Sequence, residues 1–259
     1  MPASPQEPHG SAMAKFALKV QDCNIEVNAR IPEGPVLPTT LLPILQGLSN
    51  TLSDLTSAGA AKAGAPVSCR EGCGACCRQP VPVAPAEARM LAEWIDEQPE
   101  ERRTVLRERF RQAAARLQES GMAQEVRDCM QASRDARHAL GLRYFALGIA
   151  CPFLEEERCS IHPIRPLRCR EYLVVSPAER CATPANAEIV SVKPPILFSQ
   201  VLEKWNPSGE RQAGEFILLT MLDEWAAQHP AVQDRAHRLA SEMLLEFLQA
   251  SSGDRGGTQ

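Results

Sequence analysis

The sequence is poor in aromatic residues, which make up 5% of 259 positions, and it has no excess of basic charge. Its 28 lysines and arginines are outnumbered by 32 aspartates and glutamates, for a net charge of −4. A general nucleic-acid binder needs a basic stripe and stacking faces, so that class is excluded. No run approaches the ~18 consecutive apolar residues of a membrane span. The first residues, MPASPQEPHGSAMAKFALKV, lack a basic stretch followed by an apolar one, so no secretory signal is read. Met13 is an alternative start. A cytoplasmic chain is therefore expected, in a compartment where thiols stay reduced. With 44% hydrophobic and 23% charged residues the chain can bury an ordinary core and needs no disulfides to hold it.

Against these absences stand ten cysteines. Three uses compete for them: a disulfide framework, ligands for a metal or iron–sulfur cluster, and a redox-active pair. A reducing compartment favours metal. Eight fall into two groups of four. SCREGCGACCRQP, residues 68–80, holds Cys69, Cys73, Cys76 and Cys77. CPFLEEERCSIHPIRPLRCREYLVVSPAERC holds Cys151, Cys159, Cys169 and Cys181. All eight are candidate ligands, because thiolates are the soft donors that zinc and iron–sulfur clusters select. Gly72 and Gly74 permit sharp turns in the first group, and Pro152, Pro163 and Pro166 stiffen the second. Cys76 and Cys77 are adjacent, so their side chains diverge and both do not fit one tetrahedral ion. One of them ligates a second metal or stands behind the first. Cys73-Gly-Ala-Cys76 also matches the spacing of a thiol-redox pair, but such pairs open a helix beside a strand, whereas this one sits in a glycine-rich loop. Cys23 and Cys129 read as incidental thiols.

Four thiolates around Zn²⁺ or an oxidised [4Fe–4S] core leave a net −2, which calls for cationic or N–H donors nearby. Arg70, Arg78, Arg158, Arg165, Arg168 and Arg170 all lie within a few residues of a cysteine. Charge compensation is their expected role, and anchoring a substrate is the alternative. His162 is a candidate nitrogen ligand, while Glu171 and Tyr172 would face a cavity beside the site.

The rest of the chain reads as mainly α. Residues 1–14 and 251–259 are expected as disordered ends around one domain, 15–250. KFALKVQDCNIEVNARIP alternates as a small β-hairpin with Cys23 at its turn. Leu41, Leu45, Leu48, Leu52 and Leu55 repeat at helical spacing. Pro85 starts a helix with Glu87 in its first turn and Met90, Leu91, Trp94 and Ile95 on its apolar face. A second helix over 99–120 turns Val105, Leu106, Phe110, Ala113 and Leu117 inward, and a third spans roughly 122–140. If these helices pack antiparallel, the chain comes back and Cys151 arrives beside Cys77. Residues 151–187 lack periodicity and need something besides backbone ladders to order them. A short strand and a helix are expected within 187–205, a helix over 214–228, and a last one with Val232, Ala236, Leu239, Met243 and Phe247 inside.

CREGCGACCRQPVPVAPAEA followed by CPFLEEERCSIHPIRPLRCREY resembles the YkgJ family of cysteine-cluster proteins, over about residues 65–175. The hallmarks are a cluster ending in Cys-Cys, then C-P-F-L, a Cys-x-Ile and R-P-x-x-C-R. Cys69, Cys73, Cys76, Cys77, Cys151, Cys159, Arg165, Pro166, Cys169 and Arg170 fill those positions, with His162 where tyrosine is frequent. The resemblance implies a zinc or iron–sulfur site, with Arg165 and Arg170 beside the cofactor. Because the family includes the flagellin lysine N-methylase FliB, it also implies S-adenosylmethionine and a protein lysine as one enzymatic reading. A zinc-stabilised module that binds a protein partner is another, and exchangeable metal storage a third. C-x3-C-x2-C is the radical S-adenosylmethionine spacing as well, but the strands of a β/α barrel are missing.

Overall fold

The structure is a computed structural model that describes residues 10–20, 23–129, 132–205, 216–230 and 238–253. Strands β1 (Ser11–Val20) and β2 (Cys23–Pro32) form the expected antiparallel hairpin, with Phe16 opposite Val27 and Leu18 opposite Ile25. Every second residue turns to the core, as a strand with one buried face requires. Cys23 is the first residue of β2, and β1 takes in residues 11–14, the inner end of the expected N-terminal tail.

The two residues of β3 (Pro35–Val36) lead to helix α1 (Leu42–Lys62). Leu41, Leu42, Leu45, Leu48 and Leu52 are buried, but Leu55 is 52% exposed. Past Leu52 the helix runs on in mostly small residues beyond the buried leucine stripe, and Leu55 is left half-exposed. After the first cysteine group, β4 (Pro82–Val83) precedes α2 (Pro85–Asp96), which buries Leu91 and Ile95 as expected. In α3 (Glu100–Glu119), Leu106, Phe110, Ala113 and Leu117 are buried while Val105 is 49% exposed. The buried set already fills the three-four stripe, and Val105 lies off it.

The single helix expected over 122–140 is two: α4 (Ala123–Asp128) and α5 (Arg134–Ala146). Ser133 causes the restart, its hydroxyl accepting from Ala136 N at 3.2 Å as an N-cap. Residues 151–192 then hold only fragments: β5 (Leu154–Glu155), β6 (Arg158–Cys159), a tight turn at His162–Ile164, α6 (Leu167–Arg170), β7 (Leu173–Val174), a second tight turn at Ala178–Ala182 and β8 (Ser191–Val192). Helix α7 (Phe198–Lys204) follows. The helix expected over 214–228 starts only at Leu222, as α8 (Leu222–Gln228). Ile217 and Leu218 form β9 (Ile217–Leu218) instead, because Pro82 and Val83 take up their backbone groups. In the last segment, β10 (Arg238–Leu239) pairs with β3 and leaves Leu239 38% exposed. Met243 and Phe247 of α9 (Ala240–Gly253) are buried as expected. Val232, Ala236 and the outer parts of both expected tails lie outside the described residues.

Three apolar clusters carry this mainly helical fold. The first joins the hairpin, α1, α7 and α9 through Leu45, Phe198 and Phe247. The second joins α2, α3 and the segment after Cys151, with Phe153 wedged edge-on to Phe110 at 5.3 Å and Trp94 at 6.1 Å. The third holds the far half of α3 against α4 and α5. Helix α3 thus runs out and α5 comes back: Arg116 of α3 donates to Leu147 O at 2.6 Å, just past the end of α5. Among the described residues no helix is long and apolar enough to cross a membrane.

Candidate metal centre

The return of α5 delivers Cys151 to Cys77, and Cys151 N donates to Cys77 O at 2.7 Å. Two further contacts close the loops on each other. The Arg78 guanidinium grips the Glu157 carboxylate at 2.6 and 3.0 Å. Gly74 lies so close to the β5–β6 turn that a Cβ there would stand 2.4 Å from Glu157 O and 2.7 Å from Leu154 Cδ1. Gly72 adopts φ +84°, a conformation L side chains resist. Both glycines are thus needed where the spacing placed the turns.

On the other side, Ser68 ties the first group to β7. Its N donates to Val174 O at 2.7 Å, and its hydroxyl bonds Ser176 O at 2.6 Å and Val174 O at 3.1 Å. Next to it, Cys69 Sγ accepts from Val174 N at 3.2 Å. Cys169 sits on α6, whose first N–H, at Leu167, donates to Glu87 Oε1 at 2.7 Å. The other oxygen of Glu87 takes Ala84 N at 3.2 Å, so one buried carboxylate clamps the start of α2 to the cysteine-bearing turn. The sequence marked Glu87 only as a first-turn acid. Its bond to Leu167, eighty residues on, has no local signal.

Cys69, Cys73, Cys76, Cys77, Cys151, Cys159 and Cys169 all line one cavity of about 390 Å³. Cys181 is buried, at 4% exposure. Seven of the eight sequence candidates therefore share one cavity, and Cys181 is not among its lining residues. The eight clustered cysteines and Cys129 are free thiols, and Cys129 packs against the third apolar cluster instead of the cavity.

Burial favours the protonated form at several of these thiols. It is the largest cause of the upward shift at Cys69, Cys151, Cys159 and Cys169, and it pushes Cys181 up to about 11. At Cys76 the hydrogen bond with Cys77 comes first and burial second. Neutral thiols have no Coulombic reason to converge, and thiolates without a cation would repel one another. Among the described residues, no group of three or more His, Cys, Asp or Glu side chains is placed to hold a metal ion. The donor set fits zinc or iron, while its final approach is left to binding itself.

The arginines divide by task. Arg165 lines the cavity, acts on Cys69, Cys76, Cys159 and Cys169, and bonds the His162 ring, while its buried Nε has no partner. An orphaned guanidinium N–H among thiols fits a site whose charge turns negative when the sulfurs ionise. Arg170 also lines the cavity, but all three of its nitrogens are engaged, by Arg165 O at 2.8 Å, Asn50 Oδ1 at 2.9 Å and Pro163 O at 2.5 Å. Burial and Arg165 lower its pKa to about 10. Arg168 pairs with Glu203 at 2.6 Å, and Arg70 and Arg158 are exposed. Tyr172 faces the cavity as expected. Glu171 instead turns into the core, where its carboxylate receives Ser199 N at 3.1 Å and Ser199 Oγ at 2.5 Å. His162 lines the cavity, its basicity lowered by burial and by Arg165.

No curated protein and no solved structure matches the chain. Residues 68–189 match the family model CxxCxxCC, described as a "putative zinc- or iron-chelating domain", and this span contains all eight clustered cysteines. That span therefore carries a cysteine-cluster domain similar to the YkgJ type.

Proposed function

We propose that this protein holds zinc or iron through the thiols of residues 69–77 and 151–181. The observation that carries this reading is the convergence of seven cysteines, from two stretches of chain divided by four helices, on one cavity. Such a centre supplies a cross-link between the two loops and, at an accessible ion, Lewis-acid or redox chemistry. The chain's own part is to release the thiol protons, to offset the resulting negative charge with Arg165, and to hold the loops with Glu87, Arg170 and the Arg78–Glu157 pair. The flanking helices supply the rigid frame.

Purification without oxygen, followed by metal analysis and a visible spectrum, tests this. Stoichiometric zinc or iron that is lost when cavity cysteines are replaced by serine is expected. Protein that neither retains nor takes up either metal sinks the reading. The finer readings separate in the same experiment. Iron with acid-labile sulfide leads to assays of S-adenosylmethionine cleavage and methyl transfer to protein lysine. Colourless zinc protein points to a structural module for a protein partner. Rapid exchange against a competing chelator marks metal storage.

A further inference from the structure

A second cavity lies beside the thiol site. It is a cleft of about 710 Å³ between α3 and residues 149–160. Arg109 and Arg116 of α3 line it on one side, and Glu155, Glu156 and Arg158 of the β5–β6 hairpin on the other. Three guanidiniums thus share the cleft with two carboxylates, in a chain whose net charge is −4. Glu155 is already paired, with Arg109 at 3.0 Å and Arg102 at 3.5 Å. Arg116 is held by neutral acceptors, Leu147 O at 2.6 Å and Gly148 O at 3.4 Å, so its charge is not offset there. Arg158 is exposed, and among the described residues no acidic side chain pairs with it. Ile149 and Pro152, both buried, give the cleft an apolar side. Cys151 lines this cleft as well as the thiol cavity, so the two are neighbours across one side chain.

We propose that this cleft binds an organic oxyanion, a carboxylate or phosphate head group carried on an apolar body. The planar fork of guanidinium matches both heads through paired, charge-assisted N–H donors. Exposed arginines are in general merely solvated, and a surface ion pair contributes little. Two features set these apart. Backbone carbonyls fix the Arg116 head beforehand, so less freedom is lost when it takes a ligand. The guanidiniums also line a concavity with an apolar side, within the range of about 300–1,000 Å³ common to small-molecule sites, so an alkyl or aryl body is covered together with its head. Glu156 is the counterweight: no cation pairs with it among the described residues, and its charge opposes the anion. A bound anion would lie against Cys151, on the outer side of the thiol cavity. The site goes beyond chelation and does not rest on it, since its lining comes from α3 and residues 149–160, with Cys151 the one thiol among them.

Titration of the full chain with hexanoate, hexyl phosphate and hexanol, followed by NMR of backbone amides and arginine side chains, tests this. Saturable shifts at millimolar concentration or below are expected for at least one anion, centred on residues 109–116 and 149–160. Hexanol should cause none. The anion that binds more tightly names the head group. Arg158→Gln should weaken binding by about tenfold, through loss of one charge-assisted contact. Glu156→Gln should tighten it, because a competing negative charge is gone. Arg111→Gln, on the same helix as Arg109 but outside the cleft, should change nothing. All three positions are exposed, and an unchanged amide spectrum elsewhere confirms that each variant folds. Equal affinity in the wild type and Arg158→Gln overturns the proposal. So does an absence of saturable binding by both anions, or a response to hexanol as strong as theirs. Metal content of the same samples is a separate readout: a protein without metal that still binds the anion leaves this site standing while chelation falls.

Discussion

Gly74 lets the two thiol loops touch. Gly74→Ala should cost about 1–3 kcal/mol in chemical denaturation, since a methyl group would overlap backbone as well as Leu154. It should also weaken metal binding by parting the loops. Glu87 and Glu171 make a prediction of a different sign. Burial raises both to about 7 from 4.5. Between these values the folded chain keeps protons that the unfolded chain has released. Stability of the metal-free protein should therefore fall as pH rises from about 4.5 to 7. Urea midpoints across that window test this, and Glu87→Gln should flatten the trend. The thiols set the pH dependence of loading. Each cysteine that gives up its proton on binding should add about one decade of affinity per pH unit below its raised pKa. A pH-independent affinity would show that thiolates are not the ligands.

At the scale of elements, the β5–β6 turn is under backbone strain. Glu156 and Glu157 have φ of 49° and 60°, positions where hairpins prefer asparagine and glycine. Glu157 is retained by its Arg78 partner, but Glu156 makes no comparable contact in the turn. Glu156→Gly should stabilise the protein by about 0.5–1 kcal/mol, with the denaturation midpoint as readout. Ser133→Ala should cost about 1 kcal/mol by removing the cap of α5. That break was written in the sequence as a serine before a helical run, yet the surrounding periodicity masked it. The β9 strand is a different case. Ile217 and Leu218 sit in a helix-like pattern, and only the partner segment at Pro82–Val83, remote in sequence, draws them into a strand.

For the molecule as a whole, a structural metal contributes about 10–16 kcal/mol in small peptides, against about 5–15 kcal/mol for the stability of an entire domain. Here the three apolar clusters are built mainly from residues outside the thiol loops. Chelation should thus raise hydrogen exchange in residues 68–80 and 151–181 while the amides of α1, α2 and α3 stay protected. Global unfolding on chelation would mean that the helical frame depends on the metal. Phe153 shows why the two parts are linked. It follows Cys151 by two residues and is fully buried between Phe110 and Trp94, so the frame directs a thiol loop through an aromatic anchor.

The sequence by itself determined the chemistry. Thiol identity and spacing are local, and so are the glycine turns, the hairpin alternation and the leucine stripe of α1. What only the tertiary structure decided was which groups those local features meet. Glu87 on Leu167 N, Arg170 on three separate acceptors and the meeting of seven thiols at one cavity all join residues far apart along the chain. Their encounter depends on how α3 and α5 pack, and packing sums many weak contacts that no short stretch of sequence encodes.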